Sequence, residues 1–369
     1  MFSISTFIIS VSVITGIATL LAIIMVIAEA FLADYGEVTL TVNREKKLTV
    51  EGGRPLLATL KEEGIFIPSA CGGRGSCGLC KVKVISGAGE YLPTELPWIS
   101  KDEKEELVRL SCQLKVKNDF NIFIPEELFS IREYETEVVS IRDLTYDIKE
   151  VTLKLAGAEE ISFNAGQFIQ FEVPEYDLTD EPVYRAYSIA SPPLTKDRVE
   201  LEIRYVPSGI CTTYVHKILK KGDKVRMNGA YGDFFLRDTE RNIIFIAGGS
   251  GMAPVKSILL DMAEKGSKRK IIYFFGARSV RDLFLVDEMK ALEARLEGFT
   301  FIPALSEPAD SDNWNGETGL ITEVVDKHIT SGENTEAYLC GSPGMIDACL
   351  KVLSAKGIPD ALIYYDKFA

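Results

Sequence analysis

Three cysteines lie within one glycine-rich stretch, SACGGRGSCGLCKV (69–82), and a fourth follows at position 112. The spacing in the loop is C-x5-C-x2-C. Zinc sites usually combine two CxxC pairs or mix cysteine with histidine, but this loop has a single CxxC and no histidine nearby. Three thiolates in one loop plus a distant fourth is the plan of a plant-type [2Fe–2S] site, whose loop is one residue shorter. Zinc and a flexible loop with free thiols remain the alternatives to a [2Fe–2S] cluster held by Cys71, Cys77, Cys80 and Cys112.

The first 28 residues, MFSISTFIISVSVITGIATLLAIIMVIA, contain no charged side chain. A helix needs about 20 apolar residues to span a bilayer, so this stretch is long enough. A signal peptide fits less well, because no positive residue precedes the apolar run and Ala28-Glu29-Ala30 only faintly resembles a cleavage site. A buried core helix would be shorter and amphipathic. We therefore expect residues 1–34 to be a retained anchor that passes through the lipid bilayer as one helix.

Charge indicates the orientation of this anchor and the kinds of partner. No basic residue precedes the span, whereas Arg44, Lys46 and Lys47 follow it, so the positive-inside rule places the soluble part in the cytoplasm, at the cell inner (plasma) membrane. The net charge of −13, without any basic run, argues against a nucleic-acid partner. The seven cysteines form no obvious disulfide framework, which fits a reducing compartment.

Three patterns of apolar residues divide the rest of the chain. Residues 35–130 combine a predicted hairpin, a short helix, the cysteine loop and further strands, which indicates an α+β unit. Residues 131–238 are rich in short strands separated by turns, as in an antiparallel β-barrel. Residues 239–369 alternate wholly apolar strands with helices, which indicates an α/β domain with a parallel sheet covered on both faces. The sequence thus predicts a multidomain protein with an N-terminal transmembrane helix.

Two segments of the predicted barrel point to a flavin site. In the strand RAYSIAS (185–191), the arginine and the tyrosine share a face. There the arginine can pair with a pyrophosphate, and the tyrosine can cover a ring system. The serine beside them can hydrogen-bond a flavin nitrogen. SGICTTYVH (208–216) is a glycine turn that opens a helix, so free N–H groups would face an anion. The predicted flavin-binding residues are Arg185, Ala186, Tyr187, Ser188, Gly209, Cys211, Thr212 and Thr213.

The α/β region contains a second glycine turn, IFIAGGSGMAPVKSIL (244–259), between an apolar strand and a helix. Its N–H groups form a phosphate cradle, although Pro254 stands where the GxGxxG fingerprint has its third glycine. We predict that Gly248, Gly249, Gly251 and Pro254 bind a dinucleotide. YLCGSPGM (338–345) sets Cys340 and Gly341 at the carboxyl edge of the sheet, where ligands bind in open α/β folds. A role in packing alone is the alternative for Cys340.

These motifs carry a family resemblance. RAYS, GICTT, GGSGMAP and CGSPGM, in this order, make residues 133–369 resemble the ferredoxin–NAD(P)H reductase superfamily. With the C-x5-C-x2-C loop, FGARSVRDLF and the single anchor, the whole chain resembles the family of F subunits of the sodium-translocating NADH:quinone reductases. The resemblance implies domains with bounds 35–130 (β-grasp ferredoxin), 131–238 (FAD-binding barrel) and 239–369 (NAD(H)-binding). It also implies the cofactors FAD, NADH and a [2Fe–2S] cluster, and electron delivery to other membrane subunits of a quinone reductase complex.

The same resemblance implies catalytic roles. Hydride would pass from NADH to the flavin, with Ser188 near flavin N5 and Cys340 beside the nicotinamide. A terminal aromatic residue, Phe368 or Tyr365, would cover the flavin ring until NADH displaces it. Electrons would then pass singly to the cluster.

The residues leave two questions open. Arg278 follows the second apolar strand, where arginine favours the 2′-phosphate of NADP, whereas the family resemblance favours NADH, which we expect. The segment SPPLTKDRVELEIRYVPSG lacks the proline-rich insertion of the F subunits, and YYDKFA lacks their terminal acidic pair and glycines. Both departures favour the alternative of a bacterial oxygenase reductase component, although such a component gains nothing from a membrane span. A non-catalytic electron-transfer ferredoxin is a third possibility.

Overall fold

The computed structural model describes residues 4–32 and 35–368. The chain forms two compact units, Met1–Ser130 and Ile131–Ala369. The first unit begins with helix α1 (Ile4–Leu32), whose 29 residues give a length of about 44 Å at 1.5 Å per residue. Its segment Ile8–Val26 is exposed, and it is the one helix in the described residues with the length and composition to cross a membrane.

The remainder of the first unit is a mixed sheet with short helices. Strand β1 pairs in parallel with β5 and antiparallel with β2, and β3 pairs antiparallel with both β5 and β4, in the order β2-β1-β5-β3-β4. This confirms the predicted hairpin and α+β pattern. The elements are β1 (Glu37–Val42), β2 (Lys46–Glu51), α2 (Leu56–Glu62), β3 (Lys81–Ser86), α3 (Lys101–Glu105), β4 (Val108–Leu110), β5 (Phe120–Phe123) and α4 (Glu126–Phe129).

The second unit begins with an antiparallel half-barrel of six strands. Their order is β10-β7-β6-β11-β8-β9, and a bridge between Ile189 and Leu201 draws the two edge strands together. Alternate apolar residues fill the interior. The elements are β6 (Arg132–Asp143), β7 (Ile148–Leu155), β8 (Phe168–Val173), β9 (Val183–Ser188), β10 (Arg198–Arg204), α5 (Ile210–Lys217) and β11 (Lys224–Tyr231).

A parallel sheet of six strands completes the second unit, in the order β15-β14-β13-β12-β16-β17. Its strands are buried because helices cover both faces, as the continuous apolar runs predict. The strand order reverses between β12 and β16, which creates a crevice at their carboxyl ends. The elements are β12 (Asn242–Gly248), α6 (Met252–Glu264), β13 (Ile271–Ala277), α7 (Val286–Glu293), β14 (Phe299–Leu305), β15 (Glu317–Thr318), α8 (Ile321–His328), β16 (Thr335–Gly341), α9 (Pro343–Ala355) and β17 (Ile363–Lys367).

Candidate functional site

The four predicted cluster cysteines lie together as two pairs. The Sγ atoms of Cys71 and Cys77 are 3.4 Å apart, and the thiol of Cys80 is hydrogen-bonded to that of Cys112. Among the described residues, no three His, Cys, Asp or Glu side chains are grouped as one metal ion would need. A [2Fe–2S] cluster takes two thiolates on each of two irons. The paired sulfurs therefore fit this cluster better than a zinc ion, which requires four ligands around one point.

Within each pair, one sulfur favours the charged thiolate form. The hydrogen bond from Cys77 lowers the pKa of Cys71 to about 4, and the bond from Cys80 lowers the pKa of Cys112 to about 7. The pKa values of the two donor thiols are raised for the same reason. The side chain of Gln113 also donates to Cys112 Sγ at 3.4 Å. Each pair thus favours one thiolate, which is the form in which cysteine binds a metal.

Backbone conformation explains two of the glycines in this loop. Gly75 has φ +73°, and a Cβ there would lie 2.6 Å from the side-chain nitrogen of Gln113. Gly78 has φ +69°, and its Cβ would lie 2.8 Å from the ring of Trp98. Side chains at both positions would therefore strain the backbone and displace Trp98 or Gln113, of which Gln113 donates to Cys112.

A buried ion pair holds the segment that carries Trp98. The side chain of Arg109 is 4% exposed and that of Glu95 is 0% exposed, with 2.6 Å between Nη2 and Oε2. Arg109 also donates to the carbonyl oxygens of Gly89 and Glu90. The backbone around residues 89–98 is therefore held against β4 through Arg109, which lies three positions before Cys112.

In the second unit, the predicted flavin residues lie on β9 and at the start of α5, and α5 packs against β9. Arg185 donates to the carbonyl of Tyr184, and Ser188 is buried beside Phe168 on the next strand. The hydroxyl of Tyr187 is hydrogen-bonded to Cys211, and its ring meets Phe171 edge-on at 6.3 Å. Ala186 lies between Arg185 and Tyr187 on β9, opposite Gln170 on β8. The thiol of Cys211 is buried, which raises its pKa to about 12.

The turn at the start of α5 separates the roles of its two threonines. Gly209 is the N-cap and provides no side chain to cap the helix. The hydroxyl of Thr212 folds back, where it accepts from Val206 N at 3.1 Å and donates to Val206 O at 3.0 Å. In contrast, Oγ1 of Thr213 is buried without a hydrogen-bond partner among the described residues. An orphaned hydroxyl beside free helix N–H groups fits a phosphate of FAD.

The glycine turn after β12 lies in the crevice where the strand order reverses. Gly249 has φ +55°, and Pro254 is buried in α6. A Cβ on Gly251 would lie 2.3 Å from the carbonyl oxygen of Cys340, so only glycine permits this approach of the two strand ends. Gly248 and Gly341 also face each other across this crevice. These strand ends fit a dinucleotide laid over the start of α6.

Other predicted nucleotide residues border the same edge. Cys340 is fully buried, and this burial raises its pKa well above the usual value. Arg278 is exposed at the end of β13, with its Nε 3.5 Å from the carboxylate of Glu307. The backbone N–H of Phe368 donates to the carbonyl of Gly341, and its ring packs on the apolar core beneath the sheet. Tyr365 is half exposed.

Sequence reasoning missed Arg204. It lies at the end of β10, yet its guanidinium is 3.6 Å from where a Cβ of Gly249 would be. Asp147 accepts from its Nε at 2.8 Å. A barrel residue therefore places a guanidinium group at the glycine turn of the α/β domain. The alternation of charges in ELEIR was the available indication, since Glu200, Glu202 and Arg204 must share one face.

Three domain families match the chain in order. The 2Fe-2S iron-sulfur cluster binding domain matches residues 40–117, the oxidoreductase FAD-binding domain residues 135–236, and the oxidoreductase NAD-binding domain residues 245–351. Each range falls on one of the three folds described above.

Curated relatives match over nearly the full length. The F subunit of the Na(+)-translocating NADH-quinone reductase of Neisseria meningitidis serogroup B is 41% identical over 394 residues, covering 96% of this chain and 97% of the relative. The same subunit of Mannheimia succiniciproducens is 40% identical over 406 residues, covering 99% of each.

Two solved structures match most of the chain. The Amycolatopsis cytochrome P450 reductase GcoB matches with a TM-score of 0.72 and 27% identity, covering 90% of this chain and 98% of that one. The ferredoxin reductase in carbazole 1,9a-dioxygenase matches with a TM-score of 0.69 and 28% identity, over the same shares.

Proposed function

Since this chain belongs to the family of F subunits of the Na(+)-translocating NADH-quinone reductases, we propose how its residues divide the work of such a subunit. The chain is an NADH oxidoreductase with domains for NADH, FAD and a [2Fe–2S] cluster. When bound, FAD would supply a hydride acceptor for NADH, and the cluster would supply a one-electron carrier. The observation that supports this most is the set of four cysteine sulfurs in two pairs, on a chain that also has flavin and nucleotide folds.

The flavin residues would bind and orient. Arg185 and the free N–H groups after Gly209 neutralise the pyrophosphate, and Thr213 donates the hydrogen bond that its orphaned hydroxyl lacks. Tyr187 covers the ring system, held in place by Cys211 and Phe171. Ser188 hydrogen-bonds near flavin N5. Thr212 keeps the turn in shape through its bonds to Val206.

The nucleotide residues would hold NADH in the crevice. The turn Gly248–Gly251 and the start of α6 bind the pyrophosphate, and Arg204 adds a positive charge from the barrel. Cys340, which is fully buried next to Gly341, would support the crevice beside the nicotinamide. The carboxylate of Glu307 is paired with Arg278 and would repel the 2′-phosphate of NADP, which supports NADH as the substrate. A terminal aromatic residue, Phe368 or Tyr365, shields the ring.

Membership of this family implies other subunits of a quinone reductase complex as partners, and a membrane location. We propose that the single apolar helix is the anchor in the lipid bilayer and that the soluble domains face the cytoplasm. Arg44, Lys46 and Lys47, which follow the helix, support this orientation. Protease treatment of spheroplasts and of inverted vesicles tests it, because only inverted vesicles should lose the soluble domains. Digestion in spheroplasts instead would contradict the orientation.

Anaerobic stopped-flow absorbance tests the electron path. On mixing with NADH, the flavin absorbance should bleach first and the cluster absorbance second. Cys112→Ser should keep the first phase and lose the second, and metal analysis of the wild type should find iron rather than zinc. Cluster reduction without a preceding flavin phase would refute the proposed order.

Two observations argue against the oxygenase-reductase alternative. The first is the identity over nearly the full length to F-subunit relatives, and the second is the exposed apolar helix. The solved oxygenase reductases share the fold with this chain at lower identity.

A further inference from the structure

The helix that follows the nucleotide loop carries a buried lysine. Lys256, in the second turn of α6, is 4% exposed. Its Nζ lies 3.1 Å from Glu150 and 3.0 Å from Glu200, and 3.8 Å from Glu202. Glu150 belongs to β7, and the other two carboxylates belong to β10. A cation of the nucleotide domain is therefore surrounded by carboxylates of the flavin barrel.

The next residue makes a second contact to the barrel. The buried hydroxyl of Ser257 donates to the carbonyl oxygen of Ser191 at 2.7 Å. Ser191 lies three positions after Ser188 in the same stretch, and its hydroxyl accepts from the backbone N–H of Glu200 at 3.2 Å. The flavin strand (β9 and the segment that follows it, residues 183–191), β10 and the start of α6 are thus joined through one polar cluster.

The barrel reaches back to the nucleotide domain at the same place. Arg142 of β6 pairs with Glu150 at 3.1 Å and with Glu288 of α7 at 3.3 Å. Glu202 is fully buried, and neither of its carboxyl oxygens has a hydrogen-bond partner among the described residues. The charged and titratable groups that face it are Lys256, Glu150, Glu200, Glu288 and Tyr273. Burial raises the pKa of Glu202 to about 8, so it is mostly protonated at neutral pH.

This arrangement bears on where the nicotinamide can lie. Lys256 and Ser257 begin five residues after Gly251, on the helix whose start would bind the pyrophosphate. Ser191 follows β9, the strand that would hold the flavin, and β10 is bridged to this segment at Ile189–Leu201. Strand β7, which carries Glu150, pairs in turn with β10. Hydride transfer depends on a narrow range of donor–acceptor geometry, and a shift of about 1 Å costs roughly a hundredfold in rate. Buried charges in good geometry also resist displacement, because separating them leaves each one unpaired in a medium of low polarity.

We propose that Lys256 and Ser257 are positioning residues for hydride transfer, which fasten the nucleotide loop to the flavin strand at a fixed spacing. The proposal rests on the proposed function and adds the residues that set the distance between its two sites. Both residues are buried, and neither is among the predicted nucleotide-binding residues Gly248, Gly249, Gly251 and Pro254. Their role is to keep the nucleotide-binding turn and the flavin-binding strand at a fixed distance from each other.

The test is stopped-flow reduction of the flavin by NADH in the full chain, loaded with FAD and cluster. Lys256→Met should lower the limiting rate of flavin bleaching about tenfold or more, because of misalignment. The Kd of NADH should change less than about threefold, because the glycine turn stays intact. The long-wavelength absorbance of the NADH–flavin charge-transfer complex should weaken as well. Lys256→Arg, which keeps the charge, should restore most of the rate.

A matched control lies at the C-cap of the same helix. Lys265, at the end of α6, is exposed and pairs only with Asp261 among the described residues, so Lys265→Met should leave the rate and Kd as in the wild type. If Lys256→Met fails to fold or to hold FAD, Ser257→Ala, which leaves every ion pair in place, carries the test and should slow bleaching about threefold.

Unchanged bleaching in a folded Lys256→Met, or in Ser257→Ala where the former does not fold, overturns the proposal. A wild type whose flavin is not bleached by NADH would instead refute the proposed function. The two failures are therefore distinguishable in one experiment.

Discussion

The buried ion pair of the cluster domain leads to a quantitative prediction. In Arg109→Leu, the carboxylate of Glu95 keeps its bonds from the backbone N–H groups of Leu92 and Leu110 but loses both bonds from the guanidinium. Removing one partner of a buried pair typically costs about 3–5 kcal/mol. A domain is stable by only about 5–15 kcal/mol, so a large part of the stability would be lost. The segment that carries Trp98 would loosen with it.

The pH dependence of this loss has a definite sign. Burial alone would raise the pKa of Glu95, but the bonds from Arg109 and from the two N–H groups lower it overall. In the wild type, this carboxylate therefore contributes stability above its unfolded pKa and loses it as pH falls through the folded value. Without the arginine, burial dominates and favours the protonated acid. The gap in Tm between variant and wild type should consequently be large at pH 7 and smaller at pH 5.

Thermal unfolding of the full chain in detergent, followed by the visible absorbance of the cluster, measures this effect. Lys83→Leu is a matched control, because the Lys83–Glu106 pair is exposed and 3.8 Å apart, and an exposed pair contributes below about 1 kcal/mol. Arg109→Leu combined with Glu95→Leu should regain much of the lost stability, since no charge is then left buried. Equal Tm values for Arg109→Leu and Lys83→Leu would refute this reasoning.

Three further predictions concern the second unit. The folded state holds a proton on Glu202 up to about pH 8, so the stability that this group contributes falls as pH rises towards that value. The Tm of Glu202→Gln should therefore fall less between pH 6 and pH 9 than the Tm of the wild type. Parallel curves of Tm against pH would contradict this. Gly251→Ala should weaken NADH binding at least about tenfold (about 1.4 kcal/mol) in a titration, because its Cβ would meet the Cys340 carbonyl. The control Gly344→Ala should not weaken binding, because there is open space around Gly344. Equal Kd values for the two variants would count against the crevice as the NADH site. Thr213→Val should weaken FAD retention about tenfold by equilibrium dialysis without lowering the Tm of the FAD-free protein, and unchanged retention would exclude a phosphate contact.

Local patterns were sufficient to predict the elements that bear the motifs. The alternation in VTLTVN and LTVEG predicts the β1–β2 hairpin because one face of the sheet is buried and the other is exposed. The wholly apolar NIIFIA and KIIYFFG predict parallel strands, since helices cover both faces of that sheet. The spacing of the cysteines likewise predicts that Cys112 joins the loop, although it lies 32 positions after Cys80.

Contacts between distant segments were beyond such patterns. In VKSILLDMAEKG, Lys256 looks like an ordinary solvent-exposed charge, and nothing near it in the sequence indicates three acidic side chains from the barrel. The same holds for Arg109 and Glu95, which look like parts of an acidic surface stretch. Cys211 was predicted from its motif, but its contact with the Tyr187 hydroxyl depends on the packing of α5 against β9. Long-range electrostatic complementarity leaves no local periodicity to read.

The short connection after the apolar helix restricts how far the cluster domain can travel. Only four residues separate Leu32, where α1 ends, from Glu37, where β1 begins, so the two ends are at most about 18 Å apart. With α1 in the bilayer, the iron–sulfur domain is confined to a thin layer above the lipid surface. An acceptor subunit in the same membrane would then stay within reach of it, at an effective concentration set by that layer and not by the volume of the cell.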